Sequence, residues 1–208
     1  MKKHIPPLRF NFLTKFFDSF LRICMKEYKI KNEFINLAKI KKNDKILDFG
    51  CGTGTLLKIL AKKKKTTKIY GIDINISALK IAKNKLINTK TILKKYNGIK
   101  IPFEDNFFDT IFSSLVIHHI PKKDRVLIFF EIKRVLKEDG NLFILDFGKQ
   151  QNIYGKLITS IIKLIEPIED NLKGKIPFYL KQTKFKGIKG HKHYKTLFGE
   201  LTIYSGKK

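Results

Sequence analysis

Residues 45–57 read Lys-Ile-Leu-Asp-Phe-Gly-Cys-Gly-Thr-Gly-Thr-Leu-Leu, and their reading decides the fold. Lys45 to Phe49 is a short apolar run that carries an acid, Asp48, near its end. Gly50, Gly52 and Gly54 follow at alternate positions, and Leu56, Leu57 and Leu60 then switch to helical spacing. That order is strand, tight turn, helix: the turn of an α/β sheet at which missing Cβ atoms let backbone N–H groups close on a ligand. A dinucleotide-binding turn places glycines at i, i+2 and i+5. Counted from Gly50 the third position is Thr55, and counted from Gly52 it is Leu57. The dinucleotide reading therefore fails in both registers.

Outward from this turn the chain alternates. Lys68–Asp73 is a second strand ending in an acid, and Ser77 is positioned to cap a helix running to Ile87. Thr91–Lys95 is a short third strand. Asp109–Val116 is a fourth, followed by a helix from Pro121 to Lys137. An Asp139-Gly140 turn precedes a fifth strand, Asn141–Asp146. Upstream, residues 8–40 hold two helical segments, the first built on Phe10, Leu13, Phe16, Phe17, Phe20 and Leu21. Downstream, Ile153–Ile165 and Asp170–Thr183 read as helices, and Phe185–Lys192 and Leu201–Ser205 as a closing hairpin. Five β/α rounds and a terminal hairpin predict a three-layer, Rossmann-like α/β fold. Its sheet should be seven-stranded, mostly parallel, with antiparallel C-terminal hairpin strands.

The chain has 208 residues, the size of one domain with a substantial core. It divides into an N-terminal helical cap (1–40), a ligand-binding core (41–150) and a lid helix with the C-terminal hairpin (151–208). Two cysteines, Cys24 and Cys51, form no disulfide framework, which points to a reducing, cytoplasmic setting. No apolar run reaches the ~18 residues of a membrane span, which leaves peripheral membrane contact open. The amino terminus lacks the apolar core and cleavage site of a signal peptide. The formal net charge is +26, which favours polyanions in general. Yet of 44 basic residues only Arg9, Arg22, Arg125 and Arg134 are arginine, the better bidentate reader of phosphate. With Ile, Asn and Phe abundant, the lysines read as the composition bias of an A+T-rich coding sequence, and nucleic acid as at most a non-specific partner.

Asp-x-Gly-x-Gly-x-Gly at 48–54 resembles the first motif of the class I S-adenosylmethionine-dependent methyltransferases. The resemblance extends through Ile101-Pro-Phe-Glu-Asp-Asn-Phe-Phe-Asp109, Ser113-Ser-Leu-Val-Ile-His-His-Ile120 and Glu131–Asp146. These stretches are similar to methyltransferase family 11, which includes the ubiquinone/menaquinone C-methyltransferases. The tail from Asp170 to Tyr204 is similar to a bacterial subgroup of it. The resemblance implies S-adenosylmethionine as cofactor, held by Asp48, Gly50, Cys51, Gly52, Gly54, Asp73, Ile74, Asn97, Gly98 and Ser113. Asp73, at the end of the second strand, is placed to accept from both ribose hydroxyls, and Ile74 to flank the adenine. Asn97 stands where the family carries an adenine-contacting acid and offers only an amide oxygen. Phe17-Asp18 replaces the family's usual Tyr-Asp.

His118 and His119 follow the fourth strand and are the candidate bases for an acceptor that must lose a proton. Core packing is the competing reading for both. No metal site is expected, because neighbouring histidines diverge and no third ligand stands at a metal-binding spacing. His191 and His193 read as surface residues. The expected acceptor is a small molecule, lipophilic (quinone- or lipid-like) if the Phe-rich and Ile-rich helices form its lid. The alternative favoured by charge is a nucleic-acid or protein methyltransferase. Against it, this chain has Ser113-Ser-Leu-Val-Ile-His-His where amino-methylating nucleic-acid enzymes place Asn/Asp-Pro-Pro-aromatic. Oligomeric state has no signature in the sequence.

Overall fold

The structure is a computed structural model of the chain, and it describes residues 27–63, 67–151, 153–162, 168–197 and 199–208. The helical reading at 10–21, the Phe17-Asp18 pair and Cys24 lie outside these residues. Helix α1 (Glu27–Leu37) buries Ile30, Phe34 and Ile35 on one face. Strands β1 (Lys45–Phe49) and β2 (Lys68–Asp73) flank α2 (Thr55–Lys63), whose last turn carries Lys62 and Lys63, as suits a helix C-terminus. Helix α3 (Ile76–Lys85) is capped by Asn75, whose side-chain oxygen accepts from Ser77 N and Ala78 N. Ser77 is thus inside the helix, because the Asx cap two residues earlier takes the free N–H groups first. Strands β3 (Ile92–Lys95) and β4 (Phe108–Ser114) follow, then a 3₁₀ turn (Ile117–His119) and α4 (Lys122–Val135).

Strand β5 (Leu136–Phe147) begins earlier than its apolar run. Leu136 already pairs with Phe108, and the register with β4 resumes only at Thr110–Asn141. The expected Asp139-Gly140 turn is therefore a bulge within one strand, with Asp139 at φ 65°. Helix α5 (Ile153–Ile162) precedes two short helices, α6 (Glu169–Leu172) and α7 (Ile176–Gln182). The single helix expected over 170–183 breaks at Gly174, where φ is +70°. Strands β6 (Lys186–Thr196) and β7 (Gly199–Lys207) form the closing hairpin.

The sheet order is β3-β2-β1-β4-β5-β7-β6. The first five strands are parallel, and β7 runs antiparallel to both β5 and β6. Ile46, Phe112 and Phe143 bury one face against α1, α2 and α3, with the Phe34 ring edge-on to Phe112 at 5.1 Å. Leu47, Ile111 and Ile144 bury the other face with Phe129 and Ile132 of α4 and Leu180 of α7. The strand order reverses at β1, between β2 and β4. In open α/β sheets that switch point opens the ligand crevice beyond the carboxyl ends of the strands.

Candidate active site

The turn after β1 is pinned by the Ile72 carbonyl, which accepts from both Gly50 N and Cys51 N at 2.9 Å. All three glycines have positive φ, but their surroundings differ. A Cβ on Gly50 would stand 2.4 Å from Val116 Cγ2, and one on Gly54 would stand 3.0 Å from Ala82 Cβ. Those two glycines admit neighbouring chain. A Cβ on Gly52 would meet nothing within 4 Å, so Gly52 alone faces open space. The Cys51 side chain turns into the core and is 7% exposed. Burial, reinforced by the charges of Asp48 and Asp73, pushes its thiol far up, leaving only the backbone of Cys51 to face a ligand.

Two carboxylates stand at this turn. Asp73 Oδ2 accepts from Gly52 N and Oδ1 from Asn75 N, both at 2.8 Å. Asp48 is 2% exposed and has no hydrogen-bond partner among the described residues. Burial pushes its carboxyl up to about 7, with Lys31 opposing the shift and Asp73 adding to it. Beyond Asp73, Ile74 and Gly98 face each other: a Cβ on Gly98 would lie 3.9 Å from Ile74 Cγ2. The Asn97 oxygen, expected to face an adenine amine, instead accepts from Ile99 N and Lys100 N at 3.0 and 3.1 Å. It closes its own turn, as Asn side chains do in loops. Ser113 is fully buried, and its hydroxyl has no hydrogen-bond partner among the described residues.

Val116, which covers Gly50, leads directly into the 3₁₀ turn that carries the two histidines. His118 is 3% exposed, and its Nδ1 lies 2.6 Å from Asp146 Oδ1 at the end of β5. The same carboxylate accepts from Phe147 N at 2.8 Å and His118 N at 3.3 Å. Burial alone would raise the Asp146 carboxyl, but the charge and hydrogen bond of His118, with the Phe147 N–H, hold it below the usual range. The His119 ring packs against His118 at 4.0 Å, and Phe147 meets it edge-on at 5.2 Å. Behind the turn, Arg125 donates to the His118 carbonyl at 3.2 Å and the Ile120 carbonyl at 2.9 Å. Its remaining Nη1 reaches Asp170 and Asn171.

This arrangement meets a second, independent line. The profile of a family described as "Methyltransferase domain" matches residues 40–199, most of the chain. The chain belongs to the class I S-adenosylmethionine-dependent methyltransferases. As a methyltransferase it is 37% identical over 122 residues to the ubiquinone/menaquinone biosynthesis C-methyltransferase UbiE of Neisseria meningitidis, covering 57% of this chain and 49% of that enzyme. The match spans about half the length of that relative. A solved S-adenosylmethionine-dependent methyltransferase from Aquifex aeolicus superposes with a TM-score of 0.68 at 25% identity, over 93% of this chain and 96% of that one. The phosphoethanolamine N-methyltransferase 2 of Haemonchus contortus shares the fold, with a TM-score of 0.71 at 16% identity, over 87% of this chain and 52% of that one.

The residues fit the cofactor of this class. The open space above Gly52 admits an amino-acid chain, and the buried Asp48 carboxylate, without a hydrogen-bond partner among the described residues, suits a ligand that carries a sulfonium cation and an ammonium group. Among the described residues no three His, Cys, Asp or Glu side chains come together to hold a metal ion. His191 and His193 bond Ser205 and Thr202 across the terminal hairpin instead. Sequence reading did not single out Asp146, Arg125, Asp170 or Tyr179. The only local signal was Asp146 as an acid at a strand end, the same signal that drew attention to Asp73.

Proposed function

We propose that this methyltransferase moves a methyl group from S-adenosylmethionine to a small lipophilic acceptor, quinone- or lipid-like, with His118 as the base that removes the acceptor's proton. The observation that carries this reading is the buried His118–Asp146 pair, 2.6 Å apart, on the segment whose Val116 closes over the glycine turn. Asp146 holds the proton of Nδ1 and fixes the ring, which leaves Nε2 as the basic nitrogen. No partner for Nε2 stands among the described residues. The cofactor, when bound, supplies a methyl on a good leaving group. The protein's share is alignment, exclusion of water and acceptance of the proton from an O–H or activated C–H. On this reading 41–150 is the cofactor-binding core, with a helical cap before it and a lid helix and the C-terminal hairpin after it.

The lipophilic part of the proposal rests on a small, shallow apolar dent beside β4. It is lined by Ile30, Leu115, Leu145 and Leu201, with Glu27 and Lys31 at α1 and Ser114 between them. The Ser114 hydroxyl is buried without a hydrogen-bond partner among the described residues, placed to bond a polar group on an otherwise apolar ring. Similarity to UbiE enzymes points the same way. The test is to incubate the chain with isotope-labelled S-adenosylmethionine and the separated lipid, aqueous, RNA and protein fractions of a cell extract. Label should enter the lipid fraction. Label confined to RNA or protein would overturn the reading in favour of the polyanion alternative.

Two expectations concern the cofactor. Asp73→Ala should weaken S-adenosylmethionine binding by ~1.5–3 kcal/mol, the scale of charge-assisted hydrogen bonds, because it removes both the ribose acceptor and the support of Gly52 N. Calorimetry showing unchanged affinity in a folded variant would take Asp73 out of the site.

Asp48 makes the cofactor's affinity depend on pH. With its carboxyl near 7, the free protein holds a proton there that a cationic ligand expels, so affinity should rise from about pH 6 to about pH 8. In the free fold the sign is opposite. A carboxyl raised from 3.8 to about 7 binds its proton more tightly in the native state, so its contribution to stability falls as pH rises across that window. Asp48→Asn should therefore be the more stable protein at pH 8 and the weaker binder, with a flattened affinity profile. Titration calorimetry and denaturant unfolding at the two pH values would reveal equal behaviour if Asp48 plays no such part.

A further inference from the structure

Helix α5 turns part of its apolar surface to water. A helix lying on a sheet turns large apolar side chains inward and small or polar ones to water. Among the side chains of α5 whose burial is described, Gly155 and Thr159 are the buried ones, one turn apart. A Cβ on Gly199 would stand 2.6 Å from Thr159 Cγ2, so the helix presses directly onto the backbone of β7. Two large residues point away: Tyr154 is 51% exposed and Leu157 64%. The Tyr154 hydroxyl donates to the Leu197 carbonyl at 3.2 Å. That bond brings the tip of the β6–β7 hairpin, with Leu197 55% exposed, into the same patch.

The surroundings are of one sign. Lys149, Lys156 and Lys195 are exposed and make no ion pair among the described residues. Helix α5 contains no acid, and the one acid between 186 and 207, Glu200, is 2% exposed. We propose that the Tyr154–Leu157–Leu197 patch and its lysines form a docking surface for an anionic lipid bilayer. Lysine stems reach outward so that ammonium groups meet lipid phosphates while the apolar side chains enter the interface. A second copy of the chain is a poor occupant, because self-pairing would set lysines against lysines. The net charge of +26 draws the protein to an anionic surface from any side, and the patch sets which side docks. This inference goes beyond methyl transfer and does not depend on the acceptor.

The test is flotation of the full chain with vesicles of phosphatidylcholine, or of phosphatidylcholine with a quarter replaced by phosphatidylglycerol. The wild type should float with the anionic vesicles and not with the neutral ones. Leu157→Ser with Leu197→Ser, which leaves charge untouched, should weaken binding about tenfold or more. Replacing Lys149, Lys156 and Lys195 with Gln should weaken it at least as much. The same charge change made with Lys58, Lys62 and Lys83, on α2 and α3 in the other half of the sheet, should have much the smaller effect. Cofactor affinity and unfolding midpoint, measured on every variant, show that each is folded. Failure of the wild type to float, or equal binding by the Leu157→Ser, Leu197→Ser variant, would overturn the proposal. So would a dimer seen by light scattering that the same substitutions dissolve, since the patch would then be a protein interface.

Discussion

His118→Asn is expected to lower turnover by ~10²–10⁴, the range of a lost general base, while S-adenosylmethionine affinity stays nearly unchanged. The substitution keeps a hydrogen-bonding side chain of similar reach and removes the titratable ring. His118 is singled out over His119 because its Nδ1 is committed to Asp146 at 2.6 Å, which settles the tautomer that a base at Nε2 requires. His119→Asn should therefore lose less than about tenfold. A packing role for His118 would show itself differently, as a lower unfolding midpoint with kcat preserved. Asp146→Asn should, like His118→Asn, retain the cofactor and lower kcat, because Asp146 acts only through the ring it holds. Normal turnover in both His118→Asn and His119→Asn would reduce catalysis here to alignment alone.

The contrast between what the sequence displayed and what it concealed follows from distance along the chain. Strands β1 and β2 and the turn between β1 and α2 were legible because apolar runs, acids and glycines stand side by side in 45–57 and 68–73. The terminal hairpin was legible in kind but not in extent. Half of β6 alternates lysine with residues that face solvent at the sheet edge, where no apolar period marks a strand. The cap of α3 was misplaced by two residues, since Asn75 and Ser77 are both good caps and only the observed bonds choose between them. The dyad was half legible. His118 stood out by type, but Asp146 lies 28 residues away and becomes its partner only because β4 and β5 are neighbours. Asp48 could be read as an acid at a strand end; that it is buried, with no hydrogen-bond partner among the described residues, depends on the packing around β1.

Arg125 carries the second large expected effect, on stability. Its guanidinium is 1% exposed and donates to the Ile120 and His118 carbonyls, to Asn171 and to Asp170. Asp170, also 1% exposed, accepts from the Tyr179 hydroxyl at 2.7 Å, and Tyr179 lies beneath the guanidinium at 5.7 Å. Arg125→Ala would leave the two carbonyls in the interior without this donor, while Asp170 keeps Lys122 at 3.2 Å, Lys175 at 3.5 Å and the Tyr179 hydroxyl, a loss of about 2–4 kcal/mol. That is a large share of the ~5–15 kcal/mol that holds a domain together. The sharper variant is Arg125→Lys, which keeps the charge. An ammonium cannot serve two carbonyls on one side and a carboxylate on the other, as a planar fork does, so about 1–3 kcal/mol should still be lost. The chain itself makes this argument: it uses lysine for all but four of its 44 basic residues. The other described arginine, Arg134, is likewise a fork, bonding the Phe103 and Ile101 carbonyls together with Glu131 and Asp105. At Arg134, where Asp105 is 69% exposed, water can replace the lost donors, so Arg134→Ala should cost less than Arg125→Ala. Urea unfolding of the three variants at pH 7 should rank them in that order, and an Arg125→Lys protein as stable as wild type would show that charge alone is what position 125 requires. Because Arg125 also holds the His118 carbonyl, any Arg125→Lys protein that folds should turn over more slowly as well, coupling the buried network to the ring that accepts the proton.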